Sequence, residues 1–471
     1  MIDHDVLERV LATAMRSGGD FAEIYAEDKR STSAGLDDGR VEQVTSGRDR
    51  GAGIRVVAGD TTGFAHTADL SEAGLAAAAE AAASAARGGG GGAKIVALSQ
   101  RQRQDVGRVE RQPDTVAKAD KVAVLTRMDQ SARSAGASVV QVSAGYADSR
   151  KSVLVANTEG VLAEDSVVRT MARINVVADG DTGMQTGYQS VGHTIGWELF
   201  DRIDVDELAA TAARQAITKL RARPAPSGSM PVVIKAGSGG VLFHEAVGHG
   251  LEADLVSKSA SVYAGKVGEL VASPLVTVVD DGTMDGEWGT RAFDDEGHAT
   301  QRNVLIENGV LTDYMWDYLR TRRNGTVPSG DQARRGRGNG RRESYVHLPM
   351  VRMTNTFVLD GADDPDDIIR ATDHGVYVAQ LGGGSVNTAT GDYVFGMVEA
   401  YLIENGEITE PIREGNLIGN GPQTLLDIDM LGNDFGMGNP GTCGKDGQGV
   451  PVGTGQPTLR VKALTVGGTA A

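Results

Sequence analysis

The sequence predicts an α+β protein with helices and antiparallel strands in its N-terminal part and mainly antiparallel strands in its C-terminal part. Up to about residue 225, segments with helical apolar spacing enclose short alternating segments bounded by glycine or aspartate. Beyond that point, strand-like runs dominate and end at hairpin turn signals such as ENG and DDG. Glycine is abundant, with 64 residues in 471, which favours many turns and close backbone contacts.

The N-terminal part contains four segments with a helical pattern, and the predicted strands lie between them. The helical segments are Asp5–Arg16, Ser71–Arg87, Asp114–Ala135 and Asp204–Arg221. The order helix, strands, helix therefore occurs twice, in residues 1–92 and 110–222, as an internal duplication would produce. Five glycines at 88–92 predict a flexible surface connection.

A proline-containing linker, RARPAPSGSM at 221–230, separates the two parts of the chain. The next segment, PVVIKAG, has the apolar run of a buried strand. We therefore expect an N-terminal α+β domain at 1–225 and a C-terminal β-rich, barrel-like domain at 226–471.

Composition excludes several classes of protein. The formal net charge is -17, with 63 acidic against 46 basic residues, and this argues against a general nucleic-acid or membrane-surface role. The N-terminus lacks the basic and apolar regions of a signal peptide, and no apolar run approaches the roughly 18 residues of a membrane span. The single cysteine excludes an internal disulfide. We expect a cytoplasmic protein.

The candidate catalytic and metal-binding residues are concentrated in GSGGVLFHEAVGHGLEAD, residues 237–254, which holds His244, Glu245 and His249. Two imidazoles beside a carboxylate are the parts of a hydrolytic zinc site. In such a site the imidazoles hold Zn²⁺, and the carboxylate accepts a proton from the metal-bound water. One histidine in a core and one at a helix end is the alternative interpretation of the triplet.

The spacing of this motif is HExxxH, and a regular α-helix would turn its two histidine rings apart. A π-bulge, with its i to i+5 hydrogen bond, would bring the rings together again. Gly248 lies where glycine would tolerate unusual backbone geometry. We therefore expect the C-terminal domain to carry a distorted metal-binding helix across Phe243–His249.

A complete zinc site needs a third protein ligand. The sole cysteine, Cys443, lies in the glycine-rich segment GTCGKDGQGVPVG, where Lys445 could stabilise a thiolate. A free cysteine is also often a small buried apolar residue. The residues alone leave other candidates open, namely Glu252, Asp254, His298 and His347. We expect Glu252 and Asp254 to hydrogen-bond the histidines or the backbone, and His193 to be a structural or a surface residue.

Several segments resemble one known family. FHEAVGHGLEAD and GTCGKDGQGVPVGTGQPTL resemble the zinc motif and the closing motif of the TldD/PmbA metalloproteases. FDDEGHATQRNVLIENGVLTDYMWD (293–317) and GNGRRESYVHLPMVRMTNTF (338–357) resemble further family blocks. The resemblance covers most of residues 230–471, whereas the N-terminal half matches only in plan.

The resemblance implies a metal-bearing subunit of the TldD type, with Cys443 as the third zinc ligand and Glu245 as the catalytic base. It implies a dimer that encloses the site, either a homodimer or a heterodimer with a metal-free TldE/PmbA-type relative. Substrates would be unfolded or small peptides, including modified-peptide precursors, bound as an added strand. The alternatives are a peptide-binding subunit with structural or no zinc, and a gyrase-associated regulator, which rests only on the family's older name.

A run of arginines spans residues 320–342, and most of it is typical of a solvated loop. Arg341 and Arg342 lie inside a family-like block. We expect them to pair with acidic residues such as Asp294 and Asp295, or with a peptide carboxylate.

Overall fold

The structure is a computed structural model that describes residues 1–86, 94–324 and 338–468. Two sequence features lie outside these residues, namely the glycine run at 88–92 and the arginines at 334, 335 and 337. None of the helices in the described residues is long and apolar enough to cross a membrane.

The N-terminal half follows the predicted alternation of helices and strands. Its elements are α1 (His4–Ala14), β1 (Phe21–Asp37), β2 (Arg40–Ala58), β3 (Thr61–Thr67), α2 (Glu72–Ala85), β4 (Ser99–Gln100), a 3₁₀ turn (Pro113–Thr115), α3 (Lys118–Ser134), β5 (Val139–Asn157), β6 (Val161–Ala178), β7 (Gln185–His193), α4 (Leu199–Arg202) and α5 (Val205–Lys219). The four predicted helical segments correspond to α1, α2, α3 and α5, with ends displaced by a few residues.

Both N-terminal units contribute to one sheet. Among the described strands, β3, β2 and β1 form one antiparallel meander, and β5, β6 and β7 form another. The first strands of the two meanders, β1 and β5, pair with each other and join the units edge to edge. The β1–β2 hairpin turns at Asp38 and Gly39, which both have positive φ, as an Asp-Gly hairpin turn requires. The two units therefore share the order of their meander strands, and the internal duplication stays a prediction.

The two faces of this sheet have different partners. One face packs against α1 and α2 over the first unit and against α3 and α5 over the second. The opposite face contacts the C-terminal half, where Tyr25 packs with Tyr345 and the ring of Phe21 stacks on that of Tyr318 with centroids 4.1 Å apart. The N-terminal sheet is therefore fixed against the half of the chain that carries the predicted site.

The C-terminal half is rich in strands and has few long helices. Its elements are β8 (Arg223–Pro224), β9 (Gly228–Ile234), α6 (Gly240–Phe243), a π-helical turn (His244–Gly248), a 3₁₀ turn (His249–Leu251), α7 (Ala253–Val256), β10 (Val278–Asp281), β11 (Arg302–Glu307), β12 (Val310–Leu311), α8 (Tyr318–Asn324), β13 (Gly340–Arg341), β14 (Met350–Val351), β15 (Asn355–Val358), α9 (Pro365–Arg370), β16 (His374–Val386), β17 (Asp392–Glu404), β18 (Glu407–Arg413), β19 (Asn416–Asn420), α10 (Gly421–Leu426), β20 (Ile428–Leu431), β21 (Gly436–Met437), β22 (Gly441–Lys445), β23 (Gln448–Gln456) and β24 (Leu459–Gly467).

Five of the described strands close into a barrel. Their order is β16, β9, β24, β19 and β17, and pairing between β17 and β16 completes the ring. A second sheet has the order β12, β11, β10, β15, β23 and β21, and β22 pairs with β23. Most pairings are antiparallel, while β9 with β16 and β15 with β23 are parallel. The predicted α+β class with a mainly antiparallel, barrel-like C-terminal domain is confirmed.

One apolar core joins the barrel, the second sheet and the helical segment that follows β9. It includes Val376 of the barrel, Val278 of the second sheet, and Phe243 and Val247 of the helical segment. The segment with the histidine motif is therefore surrounded by both β structures. We keep the domain division near residue 225 as a proposal, because β8 already pairs with β18 of the C-terminal half.

Candidate metal centre

The helical segment that carries the motif is distorted as predicted. An α-helical turn at Gly240–Phe243 changes into a π-helical turn at His244–Gly248. The backbone N–H of His249 donates to the carbonyl of His244, which is the i to i+5 hydrogen bond of a π-turn. This extra residue in the turn places the two histidines on the same side of the segment.

Gly248 has a different role from the one we predicted. Its φ of -56° is ordinary for a helix, so the backbone does not require glycine there. A Cβ at this position would lie 2.2 Å from Sδ of Met353, however, and the two could not coexist without movement. Glycine therefore permits the helical segment to pack closely against Met353, and the π-turn does not depend on a special glycine conformation.

The fold brings three of the predicted residues together. One donor atom each from His244, His249 and Cys443 lies within 4.8 Å of the others, and all three side chains are buried. Sγ of Cys443, on β22, is 3.2 Å from Nε2 of His249. The centroids of the two imidazole rings are 5.0 Å apart, and the ring planes make an angle of 80°. Histidine nitrogen and cysteine sulfur are both ligands that zinc takes in proteins.

The environment of His244 provides a test of whether a metal fits. The side chain is only 2% exposed, yet neither ring nitrogen has a hydrogen-bond partner within the described part of the chain. Buried polar atoms are normally paired, since an unpaired one is costly. A cation bound at the meeting point of the three donors would provide the missing partner, and the residues therefore fit a metal ion.

The electrostatics of the cluster favour a thiolate. Burial on its own raises the pKa of Cys443, but the adjacent imidazoles of His244 and His249 outweigh it and lower the pKa to about 5. Burial lowers the pKa of His249, whereas the carboxylate of Glu252 and the cysteine raise it more, so the net shift is upward. A thiolate beside two imidazoles can bind a cation.

The other third-ligand candidates lie outside the cluster. Oε2 of Glu252 is 2.9 Å from Nδ1 of His249, so this carboxylate supports the imidazole and leaves Nε2 directed at Cys443. Asp254 binds the ammonium of Lys445 at 2.8 Å. Lys445 thus contacts carboxylates, not the thiolate as we had considered.

Three other histidines named in the sequence analysis lie away from the cluster. His298 stacks near Tyr318, and Nδ1 of His347 lies 2.9 Å from Oγ of Ser344. Nδ1 of His193 lies 3.2 Å from the carbonyl of Gly286. None of the three therefore belongs to the cluster.

Arg341 and Arg342 are buried and have internal partners. Arg342 donates from its backbone N–H to the carboxylate of Asp295 at 2.9 Å, and its guanidinium binds Glu23. The guanidinium of Arg341 donates to the carbonyls of Met353 and Pro451. The expected pairing with Asp295 thus involves the backbone of Arg342, and Arg341 binds carbonyl groups instead of a carboxylate.

A cavity of about 680 Å³ is lined in part by residues that are close in sequence to the cluster residues. Its lining includes Val241, about one helical turn before Glu245, and Gly441, two strand residues before Cys443. Edge strand β7 forms another wall of the cavity with Ser190 and Gly192. The cavity provides space for a ligand in this part of the fold, although Glu245 and the three cluster residues do not line it.

Comparison with known proteins identifies the family. Models of the PmbA/TldA metallopeptidase domain 1, central domain and C-terminal domain match residues 22–86, 111–220 and 227–468. A protein of Haemophilus influenzae named metalloprotease TldD homolog is 40% identical, over 96% of this chain and 93% of that protein. The chain belongs to the PmbA/TldD metallopeptidase family.

Other PmbA/TldD relatives agree with this assignment. A protein of Saccharolobus solfataricus named zinc metalloprotease TldD homolog is 30% identical over 64% of this chain and 66% of that protein. A Thermotoga maritima structure, described as a proposed modulator of a DNA gyrase, superposes with a TM-score of 0.81 at 22% identity, covering 98% and 99% of the two chains. TldE from Thermococcus kodakarensis superposes with a TM-score of 0.77 at 20% identity, covering 98% and 100%. These two structures share the fold.

Sequence reasoning missed Arg352 and the true partners of Lys445, two charged side chains beside the cluster. Arg352 is fully buried and donates to the carbonyl of Cys443, and Lys445 binds Glu252 and Asp254. Lys445 follows Cys443 at a spacing that places both side chains on one face of a strand, which was the available signal. Its partners lie 193 and 191 positions away, and no local pattern identifies them.

Proposed function

We propose that this protein is a zinc-dependent metallopeptidase in which His244, His249 and Cys443 hold one Zn²⁺. The observation that carries the proposal is that three buried ligand atoms, one each from His244, His249 and Cys443, lie close together. The ring nitrogens of His244 have no hydrogen-bond partner in the described residues. Three protein ligands would leave one position of a tetrahedral zinc open, as in catalytic sites. The name of the S. solfataricus relative also supports zinc.

Glu245 is the proposed general base. Its carboxylate lies 3.7 Å from Nε2 of His249, and 26% of its side chain is exposed, against 8% for His249. When bound, zinc lowers the pKa of water and polarises a carbonyl group. Glu245 would accept the proton of the attacking water and donate it to the leaving amine. Because a thiolate neutralises part of the metal's charge, this zinc should be a weaker Lewis acid than one held by three histidines.

The proposed substrates are unfolded or small peptides, including modified-peptide precursors. Support comes from β7, which among the described strands pairs only with β6 and lies along the cavity. Tyr188 directs its N–H to Gln215 and its carbonyl to Gln380, away from β6. Ser190 and Gly192 follow at the same two-residue period, so their backbone groups also face away from β6. An extended peptide could pair with this edge.

We further propose that a dimer encloses the site, formed with a second copy or with a metal-free TldE/PmbA-type relative. Four apolar residues near β12 support an interface, because each is 36–58% exposed: Val267, Leu270, Leu275 and Val310. We expect more than about 2,000 Å² to be buried, as in permanent interfaces. Light scattering should detect a dimer, which should cleave a denatured protein but not its folded form. A monomer that cleaves both equally would contradict enclosure.

The enzymatic proposal is tested by cleavage of an unstructured peptide. We expect cleavage by the zinc-loaded protein, loss after treatment with a chelator, and recovery when zinc is restored. Glu245→Ala should retain zinc and fold but lose about 10²–10⁴-fold in rate, the usual contribution of a general base. Glu414→Ala, an exposed-loop change of the same type, is the control and should cleave normally.

The outcome also separates the alternatives. A protein that binds peptide and zinc but cleaves nothing would be the peptide-binding subunit with structural zinc. Cleavage by Glu245→Ala at the wild-type rate would instead remove Glu245 as the base while leaving the peptidase assignment intact.

A further inference from the structure

We propose that Lys445 is a positioning residue for the metal centre, joining the strand that carries Cys443 to the segment that carries His249. This inference rests on the proposed function, since it assumes that these side chains hold a metal. Lys445 follows Cys443 by two residues in β22, so both side chains leave the same face of the strand. The ammonium group can therefore reach the groups that surround the cluster.

The ammonium has three acceptors. Nζ of Lys445 lies 2.9 Å from Oε2 of Glu252, 2.8 Å from Oδ1 of Asp254 and 3.1 Å from the carbonyl oxygen of Val351. An ammonium has three N–H donors, so each one has a partner. The three charged side chains are only 9%, 0% and 5% exposed, and solvent screens their interaction weakly.

Glu252 connects this ammonium to a metal-site imidazole. The same Oε2 atom that accepts from Lys445 also lies 2.9 Å from Nδ1 of His249. With Nδ1 held by Glu252, Nε2 of His249 is directed at Sγ of Cys443, 3.2 Å away. A continuous chain of contacts thus runs from the cysteine's strand through Lys445 and Glu252 to the histidine. It sets the separation of two ligands that are 194 positions apart.

Removal of the ammonium would leave Glu252 and Asp254 as two buried carboxylates without their shared counterion. Such an arrangement is unfavourable and is relieved by movement of a carboxylate. Movement of Glu252 displaces the acceptor that orients His249. Lys445 itself cannot bind a metal while protonated, because an ammonium has no free electron pair. Its effect on the centre is therefore exerted through Glu252.

The backbone of the cysteine hairpin has an independent anchor. Arg352, which is fully buried, donates to the carbonyls of Cys443 and Gln448 on the two strands of the hairpin. These contacts do not involve the side chain of Lys445. Loss of Lys445 should therefore disturb the orientation of the ligands more than the fold of the hairpin.

The test compares the full-length variant Lys445→Met with the wild type. Zinc affinity is measured by competition with a chromophoric chelator, and the geometry of the centre by the absorption spectrum of the Co²⁺-loaded protein. We expect a 10–100-fold loss of zinc affinity, as for other groups that orient metal ligands, and an altered Co²⁺ spectrum. The thermal midpoint of the metal-free protein should remain close to that of the wild type.

Lys462→Met is the matched control, because Lys462 lies on β24, pairs with Asp427 away from the cluster, and has a side chain that is 57% exposed. It should leave both measurements unchanged. Wild-type affinity and an unchanged Co²⁺ spectrum in Lys445→Met would overturn the positioning role. If Lys445→Met does not fold, Asp254→Asn tests the same set of contacts around the ammonium of Lys445. It should weaken zinc binding several-fold, and wild-type affinity would overturn the proposal.

Failure of the proposed function gives a different result. If Cys443→Ser binds zinc as tightly as the wild type, the metal centre itself is wrong, whatever Lys445→Met does. If Cys443→Ser loses zinc while Lys445→Met retains it, the centre stands and only the positioning role fails.

Discussion

Two buried polar clusters of this protein differ in how their groups are matched. At the contact between the halves of the chain, opposite charges face each other. Nη2 of Arg55 lies 2.8 Å from Glu23 and 2.9 Å from Glu296, and Arg342 also binds Glu23. At the second cluster, formed by His244, His249 and Cys443, electron-pair donors face each other instead.

The difference indicates which cluster is built for a ligand. Buried charges are tolerated when they are paired, and the arginines and glutamates of the first cluster provide each other's counterions. The second cluster combines a cysteine of lowered pKa with a buried imidazole whose nitrogens lack partners in the described residues. Such an arrangement is stabilised by a cation from outside the chain. Both clusters are buried and both include polar atoms without a hydrogen-bond partner among the described residues, so the candidate site is distinguished by its chemistry: two imidazoles and a thiol meet there without an opposite charge among them.

The largest effect is expected from Cys443→Ser. This change removes the thiolate, so zinc affinity should fall by more than the 10–100-fold typical of outer partners, and peptide cleavage should be lost. Elemental analysis after dialysis against a weak chelator measures the loss. Thr442→Ala alters the neighbouring strand position, whose side chain points to the opposite face, and should retain zinc. If Cys443→Ser retains its zinc undiminished, another residue must be the third ligand. The difference between the two clusters would then no longer hold.

A smaller but clear effect is expected from Arg55→Met in the first cluster. Because Arg55 is fully buried, its loss leaves Glu296 without this counterion and Glu23 with Arg342 alone, and should destabilise the fold by about 3–5 kcal/mol. Chemical denaturation measures this change, and the zinc affinity of the folded protein should not change. A stable variant with weakened zinc binding would show that this cluster serves the metal centre.

The smallest effect is expected from Arg48→Met, which lies on the same strand as Arg55. Arg48 pairs with Asp28, but its side chain is 49% exposed, and surface ion pairs contribute little. The denaturation midpoint should therefore remain close to that of the wild type. A loss of stability as large as that of Arg55→Met would mean that burial does not determine how much a charge pair stabilises this sheet.

Local patterns in the sequence predicted much of the fold. Apolar periodicity located α1, α2, α3 and α5, and the five-residue spacing of His244 and His249 predicted the π-turn. The reason offered for Gly248 was wrong. A side chain at this position would collide with Met353, a residue more than a hundred positions away. A spacing rule describes a single turn of chain and contains no information about distant neighbours.

The distant pairings were beyond sequence reasoning for the same physical cause. Periodicity indicates that β1 and β5 are strands, but not that they pair and fuse two units into one sheet. The Cys443 hairpin and the histidine segment meet through packing across a shared core. The resemblance to a family supplied Cys443. It did not supply the contacts of Lys445 and Arg352, because charge alone does not indicate which partner a buried cation will find.

The central claim is that two imidazoles and one thiolate hold a zinc ion, and X-ray absorption at the zinc edge of the purified wild-type protein tests it most directly. We predict one sulfur at about 2.3 Å and two imidazole nitrogens at about 2.0–2.1 Å, with one light atom in the remaining position. A zinc shell of nitrogen and oxygen alone, without sulfur, would contradict the claim.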